Sequence, residues 1–142
     1  MSDVVTRLLK GSSGNVWING ELLTTVKSIE AKVKGEFSDH NFCGDAATHS
    51  SYDGWSGEGT ITFGKINSKL WYQVAMAYKS GIMPDFKIIT SLTDKTTGQS
   101  ERTAITGIVI TEFILAGFKA KEVVEEEYPF KFSDYDVLDK IA

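Results

Sequence analysis

Residues 15–34 read NVWINGELLTTVKSIEAKVK, and this stretch decides the class of fold. At its centre Asn19-Gly20 stands between apolar residues. Both central positions of a type I′ turn need φ > 0, which asparagine and glycine tolerate best, so the pair predicts a β-hairpin entered through Asn15 to Ile18. In the arm that follows, Ile29, Ala31 and Val33 alternate with Ser28, Glu30, Lys32 and Lys34. A period of two sets a buried apolar face against a charged wet one, the pattern of a sheet with one side in solvent. Leu22, Thr24 and Val26 take the other parity. The run from Glu21 to Lys34 therefore calls for a bulge or bend near Lys27, or for a second buried surface.

Upstream, the apolar-rich segment DVVTRLL at 3–9 ends at Gly11-Ser12-Ser13-Gly14. That joint marks residues 1–14 as an N-terminal arm that need not pack on its own subunit. Downstream, the period stops from Gly35 to Gly57, where glycines, Asp, Ser, Asn and His are mixed with Phe37, Phe42, Tyr52 and Trp55. The segment reads as a long loop, and a loop beyond about 12–15 residues in a compact domain is usually functional or disordered. Four aromatics argue for a loop that packs on something.

Further along, Glu58 to Phe63 reads as a strand. Asn67 is placed to cap a helix through about Lys79, with Leu70, Trp71, Val74, Ala75, Ala77 and Tyr78 on one stripe and Gly81 and Pro84 as its stop. Strands are then expected at Phe86 to Leu92, at Arg102 to Thr111, and within Phe118 to Ser133 around the acidic run. There Val124, Tyr128, Phe130 and Phe132 share a parity, and Pro129 marks an edge or a bulge because it has no ladder donor. About seven strands and one helix, without repeat or linker, make residues 1–142 a single mainly β domain. Its architecture is two packed antiparallel sheets or a β-barrel with one flanking α-helix.

Composition narrows the function. The chain has 142 residues, 42% hydrophobic and 24% charged, the size and balance of one soluble domain whose core needs no metal or disulfide. Cys43 is the single cysteine and cannot form an intrachain disulfide. Residues 1–14 lack the apolar run of a secretory signal, and no apolar run approaches the ~18 residues that span a bilayer, so a cytoplasmic site of synthesis and no membrane partner are expected. Residues 1–120 carry 12 acidic and 12 basic side chains, whereas 121–142 carry 7 and 3, so the net charge of −4 lies in the tail. A nucleic-acid grip needs a basic stripe, and none is present.

Catalytic constellations are also wanting. Asp39, His40, Cys43, Asp45, His49 and Asp53 gather metal-ligand types, but their spacing fits no zinc template, and a polar contact loop is the simpler reading. Cys43 beside His40 or His49 lacks oxyanion donors. Gly57-x-Gly59 lacks the helix that presents amides to a phosphate. Glu122, Glu125, Glu126 and Glu127 read as charged surface, since consecutive strand residues face opposite ways. No catalytic residue, metal or cofactor is assigned. Trp17, Trp71, Tyr72 and Tyr78 leave one alternative, a small-ligand-binding β-barrel with these rings around a cavity.

Three stretches carry a resemblance: GSSGNVWINGELLTTVKSIEAKV at 11–33, GEGTITFGKINSKLW at 57–71 and EVVEEEYPFKFSDYDVLDKI at 122–141. Together, and in that order, they resemble the tail tube proteins of contractile-tailed phages, the PBSX-type (XkdM-like) family, which is similar to the tube proteins of R-type bacteriocins and type VI secretion. The resemblance implies hexameric rings stacked into a hollow inner tube, inside a sheath, with baseplate and tape-measure proteins as partners. DNA would then be only in transit, and the location would be a virion tail or bacteriocin particle. It also implies that 35–57 reaches a neighbouring subunit, with Phe37, Phe42, Tyr52 and Trp55 as contacts, joined by Val4 and Leu8 of the arm.

Overall fold

The computed structural model describes residues 8–142, so Val4 and most of the arm lie outside the described residues. A single 3-10 turn at Gly11–Ser13 leads into the first strand, β1 (Gly14–Ile18). Asn19 and Gly20 adopt φ of 51° and 86° and return the chain as β2 (Glu21–Leu23), in register Val16 to Leu23. Strand β3 (Val26–Asn41) follows after Thr24-Thr25, with its register slipped between Val26 and Ser28. That slip is the bulge the parity change required at Lys27.

Residues 35–57 depart from the expectation of a loop. They complete β3 and begin β4 (Thr48–Gly64), two antiparallel strands joined at 42–47. Glycines and polar side chains concealed the strand because both faces of this part are wet, which erases the alternation that marks a half-buried strand. The helix α1 (Lys69–Ser80) begins at Ser68, while the Asn67 carboxamide oxygen accepts from the Lys69 amide at 3.1 Å. Gly81, at φ 79°, ends it as a left-handed cap whose amide donates to the Ala77 carbonyl.

After α1 come β5 (Phe86–Thr93), β6 (Ser100–Ile110), β7 (Glu125–Phe132) and β8 (Asp134–Asp139). The segment from Phe118 to 124 is irregular, and β8 adds an eighth strand that composition did not announce. Strand order is β2-β1-β5-β6-β7-β4-β3, with β8 paired to the other half of β6. Thr106 faces Asp134 and Val109 faces Lys131, so β7 and β8 are one run of chain in unbroken register along β6. Both bend together at Gly107 and Ser133. Gly107 has φ 65°, and a Cβ there would run into the Ser133 hydroxyl, so only glycine makes the corner. This corner folds one continuous sheet into two layers.

The core fills the angle: Val16, Ile61, Phe63, Val74, Phe86, Ile88, Ile105, Ile108, Ile110, Tyr128, Phe130 and Phe132. Gly57 and Gly59 on β4 leave room for the rings of Phe132 and Phe130 to lie against the backbone. Helix α1 closes one side through Val74, Ala77 and Leu70, and the Tyr78 hydroxyl donates to the Ile110 carbonyl. Pro129 sits where β6–β7 pairing ends: its carbonyl accepts from the amide and hydroxyl of Thr111, but its ring nitrogen has no hydrogen to return to the Thr111 carbonyl. No helix among the described residues is long and apolar enough to cross a membrane.

Candidate functional site

The part of the molecule most in need of a partner is the outer half of the β3–β4 hairpin. Strand β7 stops covering β4 at Gly57, opposite Phe132, yet β3 and β4 stay paired from Lys34–Ser56 out to Asn41–Thr48. At ~3.3 Å per residue the hairpin extends about 25 Å beyond the sheet that supports it. Its apolar face is the core face continued outward, through the opposed pairs Ile29–Ile61, Ala31–Gly59, Val33–Gly57, Gly35–Trp55 and Phe37–Tyr52. A second slip between Glu36 and Phe37, at Gly54 with φ 140°, lets Tyr52 join that face.

Phe37 and Tyr52, each 62% exposed, meet edge to face at 5.7 Å, and the Phe37 ring lies back over Gly35. Phe42 sits near the tip, 60% exposed and 5.5 Å from the His49 ring. Trp55 differs from these three. It packs at the root of the hairpin on Phe132 at 6.0 Å and Tyr135 at 5.2 Å, so it fastens the projection to β7 and β8. Leu8 is exposed at the start of the described chain.

Polar side chains brace the projection. Ser38 donates to Asp53, Ser50 to Asp39 at 2.7 Å and Thr48 to Asn41 at 3.0 Å, while His40 Nε2 meets the Ser51 hydroxyl at 2.8 Å. In the turn, Asp45 accepts from the Ala47 amide at 2.9 Å and pairs with His49 Nε2 at 2.6 Å. The His49 contact, then the Ala47 amide, hold the Asp45 carboxyl below the usual carboxylate range. The histidines, Cys43 and aspartates are thus dispersed over both strands and the tip, and among the described residues no three His, Cys, Asp or Glu side chains converge on a metal-sized centre.

The acidic run resolves differently from a uniformly charged surface. Glu125 and Glu127 face solvent, but Glu126 shares the inward parity of Tyr128 and is buried, paired with Lys65 at 3.4 Å. Burial, and then the charge of Glu126, raise the Tyr128 hydroxyl well above its ordinary value. Lys65 also lies over the Trp71 ring at 5.1 Å, and the Trp71 indole donates to the Leu115 carbonyl at 3.1 Å. Trp17, Trp71, Tyr72 and Tyr78 do not surround one cavity: Tyr72 is exposed, Tyr78 stacks with Phe113, and Trp71 packs outside the core. The geometry therefore does not favour a ligand barrel.

Three strand edges are open among the described residues: β2 pairs only with β1, β3 only with β4, and β8 only with β6. Exposed edges are templates for pairing with another chain. Comparison with known proteins agrees with a shape built for assembly. A family model described as phage tail tube protein matches residues 5–139. The phage-like element PBSX protein XkdM of Bacillus subtilis (strain 168) is 31% identical over 136 residues, covering 94% of this chain and 92% of that protein. Among solved structures, the tube-terminating cap of the anti-feeding prophage superposes with a TM-score of 0.76 at 12% identity, over 94% of this chain and 92% of that one. The sheath–tube complex of the extracellular contractile injection system PVC, in its extended state, gives 0.74 at 11% identity over 99% of both chains.

Proposed function

The chain belongs to the phage tail tube protein family, and from that premise we propose that its subunits close into hexameric rings that stack as the hollow inner tube of a contractile tail. The single observation that carries this reading is the β3–β4 projection: an apolar face that leaves the core with Phe37 and Tyr52 exposed, on a strand whose outer edge is unpaired among the described residues. A monomer gains nothing from it. In a ring, the open edges of β3 and β8 find partners in neighbouring copies, and the aromatic face of the projection lies on the adjacent subunit or ring.

The tube acts by geometry and needs no chemistry of its own. It is a rigid conduit enclosed by a sheath, begun on a baseplate and measured by a tape-measure protein. It passes DNA in a phage, or punctures an envelope in a bacteriocin. The balance of charge supports transit without arrest, since no basic stripe exists to hold a polyanion. Negative-stain electron microscopy of the concentrated protein, with its mass measured by light scattering, tests the proposal. Rings or hollow tubes are the expected result. A protein that stays monomeric even beside its sheath protein or an assembly initiator would overturn it.

A further inference from the structure

Both histidines of the chain sit near the end of the β3–β4 projection, where His40 on one strand stands directly opposite His49 on the other. Opposed residues of an antiparallel pair share a face, with Cβ atoms about 4.5–5.5 Å apart. Among the described residues no third strand pairs with this stretch, since β7 leaves β4 at Gly57. A two-stranded ladder on its own is marginally stable in water, so small changes in side-chain interaction decide whether it stays closed. The surroundings are anionic. Between Gly35 and Gly64 stand Glu36, Asp39, Asp45, Asp53 and Glu58, and no Lys or Arg. Lys34, the basic residue just before that span, is about 20 Å from His40 along the strand, well beyond the screening length at physiological salt.

Resting on the tube reading above, we propose that His40 and His49 form a pH switch on the projection, which is closed and able to dock while both rings are neutral and opens as both become charged. Histidine is the side chain whose charge changes between about pH 5 and pH 8. The two rings are compensated unequally. His49 Nε2 meets the Asp45 carboxylate at 2.6 Å, and its ring lies 5.5 Å from that of Phe42, so a charge on it has a counter-ion. His40 Nε2 meets the Ser51 hydroxyl at 2.8 Å. A hydroxyl can hydrogen-bond either form of the ring but cannot neutralise its charge. The remaining carboxylates of the tip are engaged or turned away. Asp53 accepts from Ser38, and Asp39 lies on the opposite face, bonded to Ser50 at 2.7 Å. Glu36 stands nearer the root, and Cys43 lies in the connecting turn. Charging both rings sets like charges directly opposite each other, which destabilises a strand pair. Closure is therefore favoured above the histidine range and lost as pH falls through it.

Two readouts on the full-length chain test the switch. In the monomer, hydrogen exchange of the amides from Ser38 to Ser51 is compared at about pH 7.5 and about pH 5.5, both above the ordinary carboxylate range, with intrinsic exchange rates divided out. Opening of the tip should rise about two- to fivefold at the lower pH, the scale of one cross-strand pair, while the Ile61 amide stays unchanged. In the assembled protein, the light-scattering mass should fall over the same step and return when the pH is restored. His40→Gln keeps a hydrogen-bonding side chain and removes one of the two charges, so exchange and mass should both hold steady. His49→Gln, a second route to the same loss, should do likewise. Exchange that ignores pH in the parent, or that responds as strongly in both variants, overturns the switch. Tip opening without a fall in mass overturns its link to assembly. If no ring or tube forms at any pH, the tube reading fails, and exchange in the monomer still decides the switch.

Discussion

Ile61 and Tyr52 belong to the same strand and the same apolar face, yet Ile61 is 2% exposed and Tyr52 is 62% exposed. Along β4 the face is continuous, and what changes is the cover. At Ile61 the opposite layer and α1 bury it. At Gly59 and Gly57 the rings of Phe130 and Phe132 lie against it. Past Trp55 none of the core rings among the described residues reaches it. An alternating pattern thus fixes which way a strand's apolar side points, while the length of its neighbours fixes how far that side is covered within one chain.

The sharpest way to break the comparison is to remove one ring from each end. Phe130→Ala should cost about 3–5 kcal/mol, the usual loss for truncating a buried phenylalanine. Tyr52→Ala should cost under about 1 kcal/mol, the scale of a cross-strand pair on a wet surface. Urea unfolding of the monomer compares them, and equal costs would mean the projection is packed in solution. Next in size is the corner. Gly107→Ala should lose about 1–3 kcal/mol through its left-handed backbone, with added loss from the Ser133 hydroxyl. Ser133→Gly in the same chain should recover only the steric part, which a double-mutant cycle in urea reads directly.

Smaller for stability but decisive for assembly is the pair Phe37→Ala and Tyr52→Ala. The double variant should melt within a few degrees of the parent while its light-scattering mass falls from assembly to monomer. Unchanged assembly would remove these rings from the interface. The smallest effect concerns pH. Asp45 has a lowered pKa in the folded chain, so its contact with His49 contributes fully above the ordinary carboxylate value, near 4, and is lost as pH falls through the lower folded value. Because the pair is exposed, NMR should show the Ala47 amide shifting over that window while the core resonances stay still.

Local signals carried much of this architecture. Asn19-Gly20 gave the first turn, the parity change located the bulge at Lys27, and Tyr128, Phe130 and Phe132 fell inward as their alternation requires. Two features escaped for physical reasons. The hairpin at 35–57 was masked because a strand wet on both faces has no hydrophobic period, and its ladder is held by Ser, Asp, His and Asn side chains that also mark loops. Glu126 was taken for surface because carboxylates are rarely buried, and its partners, Lys65 from 61 residues earlier in sequence and the Tyr128 hydroxyl, make its position tolerable. Strand β8 was hidden by its exposure on both sides, at the edge of the sheet.

The connection at 42–47 also sets a clock. Strands β3 and β4 are joined by a short turn, so their ladder can close in microseconds from sequence neighbours alone. Val16 must instead find Thr90, 74 residues away in sequence, and such distant pairing is slow because loop closure precedes its reward. The nascent chain therefore presents its sticky projection before the body that positions it exists. A cell making many copies at once gains from anything that delays contact between half-folded subunits, and dilution, slower synthesis or a chaperone holding the hairpin should each raise the yield of soluble protein.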